Sequence, residues 1–391
     1  MRLRDNCPVC GSQQITTFLI REQTPAHQNL VITDQQAARQ SARGDLTLGR
    51  CETCGFVFNR TFDLALLGYG ENYDNSQMYS PAFSAHVDGL LQHLLFDKGV
   101  QNCRIVEVGC GQGTFLRRLV DIEACGNTGY GFDPSYSGPD VDLGGRLLFE
   151  KRYYGPDSAS IPADVVICRH VIEHVPEPLE LLRAVRQALA NSPRARVFFE
   201  TPDVEWILQH QVIWDFFYEH CSYFTAEALS TAFELAGFQV ESVTHVFGGQ
   251  YLWLEATPAT MPSVNIQPGR ISELTERFSR VEGELRQKWL DVVQSASKNQ
   301  KIALWGAGAK GVTFANLIDP ARRWIMCVVD LNPNKQGRYI PGVGHPIVGY
   351  QDLTDLGVTA ILIMNPNYRE EILKLLHEAN LDINLIDLGE L

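Results

Sequence analysis

Residues 214–224, Trp214-Asp215-Phe216-Phe217-Tyr218-Glu219-His220-Cys221-Ser222-Tyr223-Phe224, bring aromatic and ionisable side chains together unusually densely. His220 is the natural base near neutral pH, and neighbours such as Tyr218 and Glu219 can orient it or share developing charge. That chemistry is proton removal from a substrate. His174, in the run HVIEHV, is a second candidate base and ranks below His220.

Two further pairs of residues have ligand spacing. Cys7-Pro8-Val9-Cys10-Gly11 and Cys51-Glu52-Thr53-Cys54-Gly55 repeat one design. Two thiolates three positions apart on a tight turn grip one face of a tetrahedral ion, and the following glycine lets the backbone turn beneath them. Four such ligands close the coordination sphere, so Cys7, Cys10, Cys51 and Cys54 are expected to hold a structural zinc. The intervening residues, including QNLVIT, are expected to form a small sheet. The other six cysteines stand singly and are expected to be reduced core residues.

Two glycine loops complete the candidate chemistry. Glu107-Val108-Gly109-Cys110-Gly111-Gln112-Gly113 follows one apolar run and opens another. Its GxGxG spacing and preceding acid suit a ligand carrying an amino group better than a pyrophosphate. Asp133, twenty residues past Gly113, closes the next apolar run, where a carboxylate can accept both hydroxyls of a ribose. Trp305-Gly306-Ala307-Gly308-Ala309-Lys310-Gly311 is a GxGxxG, with Asp330 closing the run after it. A dinucleotide site has that spacing, yet Lys310 and Lys335 suit contacts to phosphate or a nucleotide base.

Strands alternating with helices must position these groups. IVEVGCG, GYGFD, ADVVICRH and RARVFFETP are strand-like, and GTFLRRLVDI, PLELLRAVRQALA and TAEALSTAFELAGF are helical. Such alternation predicts βα units on a largely parallel sheet. Phe247-Gly248-Gly249-Gln250 looks like the turn of a hairpin at one sheet edge. The candidate catalytic stretch follows the fifth strand, above the carboxyl ends of the strands, where open α/β sheets bind ligands. Past the linker ATPATMPSVNIQPGR, the residues Ile271, Leu274, Phe278, Val281, Leu285 and Trp289 recur every three or four positions, which predicts a helix packing on a neighbouring domain. A second alternating unit begins at Lys301. The expected division is 1–62, a zinc-binding domain; 63–258, the α/β core; and 259–391, a second Rossmann-like domain with its leading helix.

The chain has 391 residues, enough for two or three domains, with 45% hydrophobic and 20% charged residues, a globular composition. Lys and Arg number 33 against 46 Asp and Glu, a net charge of −13 that disfavours nucleic acid or an anionic membrane as partner. No run approaches the roughly 18 apolar residues of a membrane span, and MRLRDNCPVC has no apolar signal core. A cytoplasmic protein is expected, as a monomer or weak dimer.

VEVGCGQG, GFDPS and ADVVICRHVIEHVPEP together resemble the S-adenosylmethionine site of class I methyltransferases. The resemblance implies an α/β Rossmann-like core in which Glu107, Gly109, Gly111 and Gly113 surround the methionine part of the donor. Asp133 would hold the ribose, and Arg169 and His170 would line the sulfonium side. The order of cysteine pairs, methyltransferase core and a final domain with WGAGAKG, DLNPNKQG and MNPNYREEI resembles the three-domain C-methyltransferases of bacterial natural-product pathways. These act on nucleotide-linked 4-keto-deoxysugars. In that family a YEH-x-x-Y stretch carries the catalytic residues, here Tyr218, Glu219 and His220, and the last domain helps to hold the nucleotide. The base removes a proton beside the ketone, and the enolate carbon takes the methyl group. Two stretches depart from the pattern: residues 73–80 (YDNSQMYS) where the family has a Ser-rich segment, and Phe247-Gly248-Gly249-Gln250-Tyr251 where it has His-Gly-Gly-Ser. Methylation at oxygen or nitrogen stays open, as do a nicotinamide-dependent oxidoreductase built on the second glycine loop and a non-catalytic binding protein docking through its zinc site.

Overall fold

The computed structural model describes residues 3–68, 73, 74, 76–260 and 264–387. Asn75, in the departing stretch, and 261–263, in the linker, lie outside the described residues. Three sheets organise the chain.

The first sheet pairs Ile15–Pro25 with Arg43–Cys51 antiparallel, in a register that sets Ile15 opposite Cys51 and so brings the two cysteine pairs to one end. Val57–Asn59 pairs next to Arg43–Cys51, and Ser222–Tyr223 adds to its far side. The sheet is thus completed from within the candidate catalytic stretch. Residues 28–33, expected as part of this sheet, instead make single bridges, Leu30 with Tyr73 and Ile32 with Tyr339. The strands flanking the cysteine knuckles satisfy one another, which leaves 28–33 to run out across the molecule.

The second sheet has eight strands in the order Phe238–Val246, Tyr251–Pro258, Arg196–Pro202, Val165–Arg169, Arg104–Val108, Thr128–Phe132, Leu147–Glu150 and Val141–Asp142. Arg104–Val108 lies between parallel neighbours on both sides, and the chain reverses direction of travel there. Val165, Val166, Ile167 and Cys168 are all buried, as a strand covered on both faces requires. Helices cover it, among them Pro178–Ala188, begun by proline, and Ala226–Leu235, whose Thr225 Oγ1 caps Ala228 N–H at 3.0 Å. The hairpin of Phe238–Val246 and Tyr251–Pro258 closes one edge antiparallel, with its turn at 247–250 as the sequence predicts. This is the open, largely parallel α/β sheet of Rossmann-like type that the sequence predicts.

The third sheet is parallel throughout: Ile347–Val348, Ile325–Val329, Ile302–Trp305, Ala360–Ile363 and Asn384–Asp387. Its two edge strands were not legible in the sequence, being short or half-buried. The helix Ile271–Ser297 buries Ile271, Leu274, Phe278, Trp289 and Val293. One continuous core joins Phe18 and Leu48 of the first sheet, Trp214, Phe278 of this helix, and Phe314 and Leu362 of the third unit. Among the described residues, no helix is long and apolar enough to cross a membrane.

Candidate active site

The strand Arg104–Val108 delivers the first glycine loop, and Gly109 carries a φ of +70°. A Cβ there would also collide with Val171 Cγ2, so only glycine lets the loop lie against the end of the neighbouring strand Val165–Arg169. Asp133 binds this loop together: Oδ2 accepts from Gly111 N–H at 2.8 Å, and Oδ1 accepts from Ser135 N–H at 2.7 Å and its hydroxyl at 2.6 Å. One lone pair of Oδ2 is left for a ligand. Glu107 is buried beneath the loop, accepting from Leu116 N–H at 3.2 Å. Burial pushes its carboxyl up to about 8, with Arg169 opposing.

Arg169 ends the strand Val165–Arg169, and His170 follows it. The Arg169 guanidinium lies over the Phe115 ring, 4.4 Å from its centroid, and Nε donates to Glu200 Oε2 at 2.8 Å. Its Nη2 is buried with no hydrogen-bond partner. His170, at φ +54°, sets Nδ1 3.5 Å from Glu173 Oε1 and Nε2 3.3 Å from Glu200 Oε2. Burial alone would lower the imidazole, but Glu200 and Glu173 together raise it to about 9. Glu200 is itself fully buried; Arg169 and His170 outweigh that burial and hold its carboxyl well below the usual range.

Glu107, Gly109, Gly111, Asp133, Arg169 and His170 line one cleft of about 1410 Å³. Gly113 lies at the start of the helix Thr114–Asp121, behind the loop. A second cavity, of about 250 Å³, shares Tyr73, Tyr79, His170 and His174 with the first. Its wall includes His220, Gln250 and Tyr251 on one side and Gly306, Gly308, Lys310, Asp330, Lys335 and Asn365 on the other. The two glycine loops therefore open onto adjoining spaces, with His170 and His174 between them.

Of the three residues in the YEH stretch, His220 alone lines this cavity. Its ring meets His174 at 4.7 Å and Phe217 at 4.1 Å. Burial, with His174 beside it, holds the imidazole well below its ordinary value, so it is a neutral acceptor at neutral pH. Tyr218 turns the other way: its ring packs on Phe62 and against Gly44, and its hydroxyl accepts from Asp63 N–H at 2.8 Å. Glu219 is fully buried, accepting from His27 Nδ1–H and Gln28 N–H at 3.0 Å each and from the Tyr73 hydroxyl at 3.3 Å. His27 Nε2 takes the Gly68 N–H at 3.0 Å, which leaves the proton on Nδ1. Glu219 therefore reaches the cavity indirectly, through Tyr73.

The stretch is clamped from three sides. Arg21 donates to the carbonyls of Ile213 and Phe216 at 2.8 and 3.1 Å, Trp214 Nε1 donates to Met364 O at 3.1 Å, and Asp215 pairs with Lys310 of the second glycine loop. The sequence suits Lys310 to phosphate or a nucleotide base, whereas the structure pairs it with Asp215, and the sequence does not single out Glu173, Glu200 or Asn365. An acid placed three residues after the fourth strand's Arg-His pair was the available signal for Glu173.

The cysteine pairs converge. Sγ of Cys7 and Cys54 are 3.6 Å apart and those of Cys10 and Cys51 3.5 Å, with all four within 4.8 Å. Sulfurs bonded tetrahedrally at about 2.3 Å to one ion stand about 3.8 Å apart, so the donor set fits zinc in both number and spacing. Gly11 and Gly55 take nearly the same φ, +75° and +74°, and the two knuckles are alike in backbone as well as sequence.

Residues 83–243 match the family model described as a methyltransferase domain, and residues 270–382 match that described as the C-methyltransferase C-terminal domain. The chain is a methyltransferase. No curated protein matches it. Among solved structures, the methyltransferase is similar to the 1,6-didemethyltoxoflavin-N1-methyltransferase of Burkholderia thailandensis, with 15% identity over 45% of this chain and 79% of that one, at a TM-score of 0.34. It is similar to the magnesium protoporphyrin IX methyltransferase of Synechocystis at 19% identity over 46% and 84%, TM-score 0.35. The N,N-8-amino-8-demethyl-D-riboflavin dimethyltransferase of Streptomyces davawensis aligns at 19% identity over 45% and 54%, TM-score 0.35. In this methyltransferase the first glycine loop lies inside the first matched segment and the second glycine loop inside the other.

Proposed function

We propose that this methyltransferase transfers its methyl group to carbon, on a nucleotide-linked 4-keto-deoxysugar, with His220 as the base that forms the enolate. One observation carries the reading: His220 and the second glycine loop line a single cavity whose other boundary, at His170 and His174, is shared with the donor cleft. An acceptor long enough to touch both ends has a sugar at His220 and a nucleotide at the GxGxxG loop. The match of 270–382 to a C-methyltransferase C-terminal domain supports carbon as the site of transfer.

Glu107, Gly109, Gly111 and Gly113 form the bed for the donor's amino-acid part, and Asp133 accepts from its ribose. Bound S-adenosylmethionine supplies an electrophilic methyl group on a positively charged sulfur. Arg169 lines that cleft with a buried, unpartnered Nη2, which suits the donor's carboxylate better than its cationic sulfur. His220, neutral in its apolar setting, takes the proton from the carbon beside the ketone. Glu219 works at one remove by holding the Tyr73 hydroxyl at the cavity, and Tyr218 anchors the stretch to the N-terminal segment. At the phosphate end, the N–H groups that open the helix Ala309–Ile318 favour negative charge, while Lys310 is held by Asp215. Cys7, Cys10, Cys51 and Cys54 hold a structural zinc. On this reading 1–62, 63–258 and 259–391 are the three domains.

The test uses thymidine-diphosphate 4-keto-deoxyhexoses and S-adenosylmethionine in deuterated water. The expected product carries a new C–CH3 group, and the acceptor exchanges its proton beside the ketone for deuterium. An O-methyl or N-methyl product without exchange overturns the reading. A general base contributes roughly 100-fold or more; His220→Ala retaining turnover within about threefold removes His220 from that role.

A further inference from the structure

A proton removed from the acceptor must go somewhere before the next turnover. His220 is a poor resting place for it, since Phe217 packs on its ring and a second imidazole faces it. Glu173, His174 and His220 form a cluster in which one donor atom of each lies within 4.8 Å of the others. All three line the acceptor cavity. The Glu173 side chain is otherwise sealed in: the residue is 1% exposed. Thr201 Oγ1 donates to its Oε2 at 3.0 Å, while Oε1 is buried without a hydrogen-bond partner. The nearest charged neighbour of Oε1 is His170 Nδ1 at 3.5 Å, beyond good hydrogen-bond range, so Oε1 keeps lone pairs open toward a proton arriving from His174.

We propose that Glu173 is the terminal proton acceptor of a relay that runs from His220 through His174. The inference rests on the reading of His220 as base and deepens it. The C–H bond beside the ketone breaks, its electron pair stays on the acceptor as the enolate, and the proton passes to His220. His220 hands a proton to His174, which delivers one to Glu173 Oε1, and both imidazoles return to neutrality. When the methylated product leaves, water entering the cavity takes the proton from Glu173. His170, 3.5 Å from the same oxygen, keeps the carboxylate oriented between turnovers. Glu173 acts through His174 and is a positioning residue as well as a proton sink.

Glu173→Gln keeps the shape and the Thr201 contact but cannot take up the proton. The assay uses whichever thymidine-diphosphate 4-keto-deoxyhexose the parent enzyme methylates, incubated in deuterated water with S-adenosylhomocysteine so that exchange is read without methyl transfer. We expect at least tenfold slower exchange at the carbon beside the ketone, because an unrelayed proton returns to the carbon it left. kcat should fall in parallel, while acceptor KM and donor Kd stay within twofold, and Glu173→Asp should recover part of the rate. His174→Gln, cutting the other link, should show the same loss. Exchange and kcat within threefold of the parent in either folded variant overturn the relay. So does a Glu173→Gln enzyme that loses donor affinity together with turnover, since that marks a structural role. Loss of the parent's exchange on chelation, restored by added divalent cation while one zinc per chain is retained, overturns it in favour of a metal on the same three residues. If His220→Ala exchanges like the parent, it is the base assignment that fails; if His220→Ala is dead and Glu173→Gln is not, the relay alone fails.

Discussion

Gln250 and Asn365 form a reciprocal amide pair: Gln250 Nε2 donates to Asn365 Oδ1 at 2.8 Å, and Asn365 Nδ2 donates back to Gln250 Oε1 at 3.0 Å. Both are buried, and both line the cavity of about 250 Å³ that holds His220. The pair ties the hairpin turn of the methyltransferase sheet to the end of the strand Ala360–Ile363. It also occupies the place where the sequence departs from the His-Gly-Gly-Ser of the family it resembles. Gln250→Ala strands a buried amide and is expected to cost about 1–3 kcal/mol in urea unfolding. Acceptor KM should rise while donor Kd, by calorimetry, stays unchanged; an unaltered KM means that the pair is scaffolding only.

Asp133 joins the glycine loop to the end of the next strand, through Gly111 and Ser135. Hydrogen bonds to a charged group are worth about 1.5–3 kcal/mol. Asp133→Ala should therefore weaken S-adenosylmethionine and S-adenosylhomocysteine alike, by roughly tenfold to a hundredfold in Kd. Equal heats of binding for parent and variant would remove Asp133 from the donor site.

Loss of the zinc proposed for the four cysteines should reach His220 through the sheet that they adjoin. Ser222–Tyr223, two residues past His220, pairs with Val57–Asn59, and Val57 follows the second cysteine knuckle by three positions. For Cys51→Ser we expect zinc content well below one per chain, a lower Tm and at least tenfold lower turnover. Donor affinity should hold within threefold, because the donor cleft is built on the second sheet. Full zinc occupancy in that variant would show that Cys51 is not a ligand.

Stability should decline with rising pH on the alkaline side of neutrality. His170 keeps its proton up to about 9 in the folded chain against 6.5 as the ordinary value, burial being outweighed by Glu200 and Glu173. Between those values the native state binds more protons than the unfolded one, so this contribution is complete below about pH 6.5 and lost as pH rises through 9. It amounts to at most on the order of 3 kcal/mol. Glu107, raised by burial to about 8, acts with the same sign. Urea unfolding from pH 6 to 9.5 should show the decline in the parent and a flatter profile in His170→Gln; a flat parent profile contradicts the charged His170.

Local chemistry made much of this protein legible from its residues alone. Continuous apolar runs marked the central strands of the second sheet, and a period of 3.6 the helix from Ile271, because burial on both faces or on one demands those patterns; the short strands Val141–Asp142 and Leu147–Glu150 gave no such signal. The repeated knuckles marked four thiols that share one end of a sheet, because only a tight turn with glycine presents two sulfurs together. Tertiary structure decided what the sequence left blank. It turned His220 toward the cavity while sending Tyr218 to Phe62 and Glu219 to His27, although the three are consecutive. It brought Glu173 beside His220 and Gln250 beside Asn365, 47 and 115 positions apart. The direction of a side chain on an irregular loop has no period to read. It is set by whichever distant donors and rings satisfy its buried polar atoms, and those partners meet only when the three sheets close on a common core.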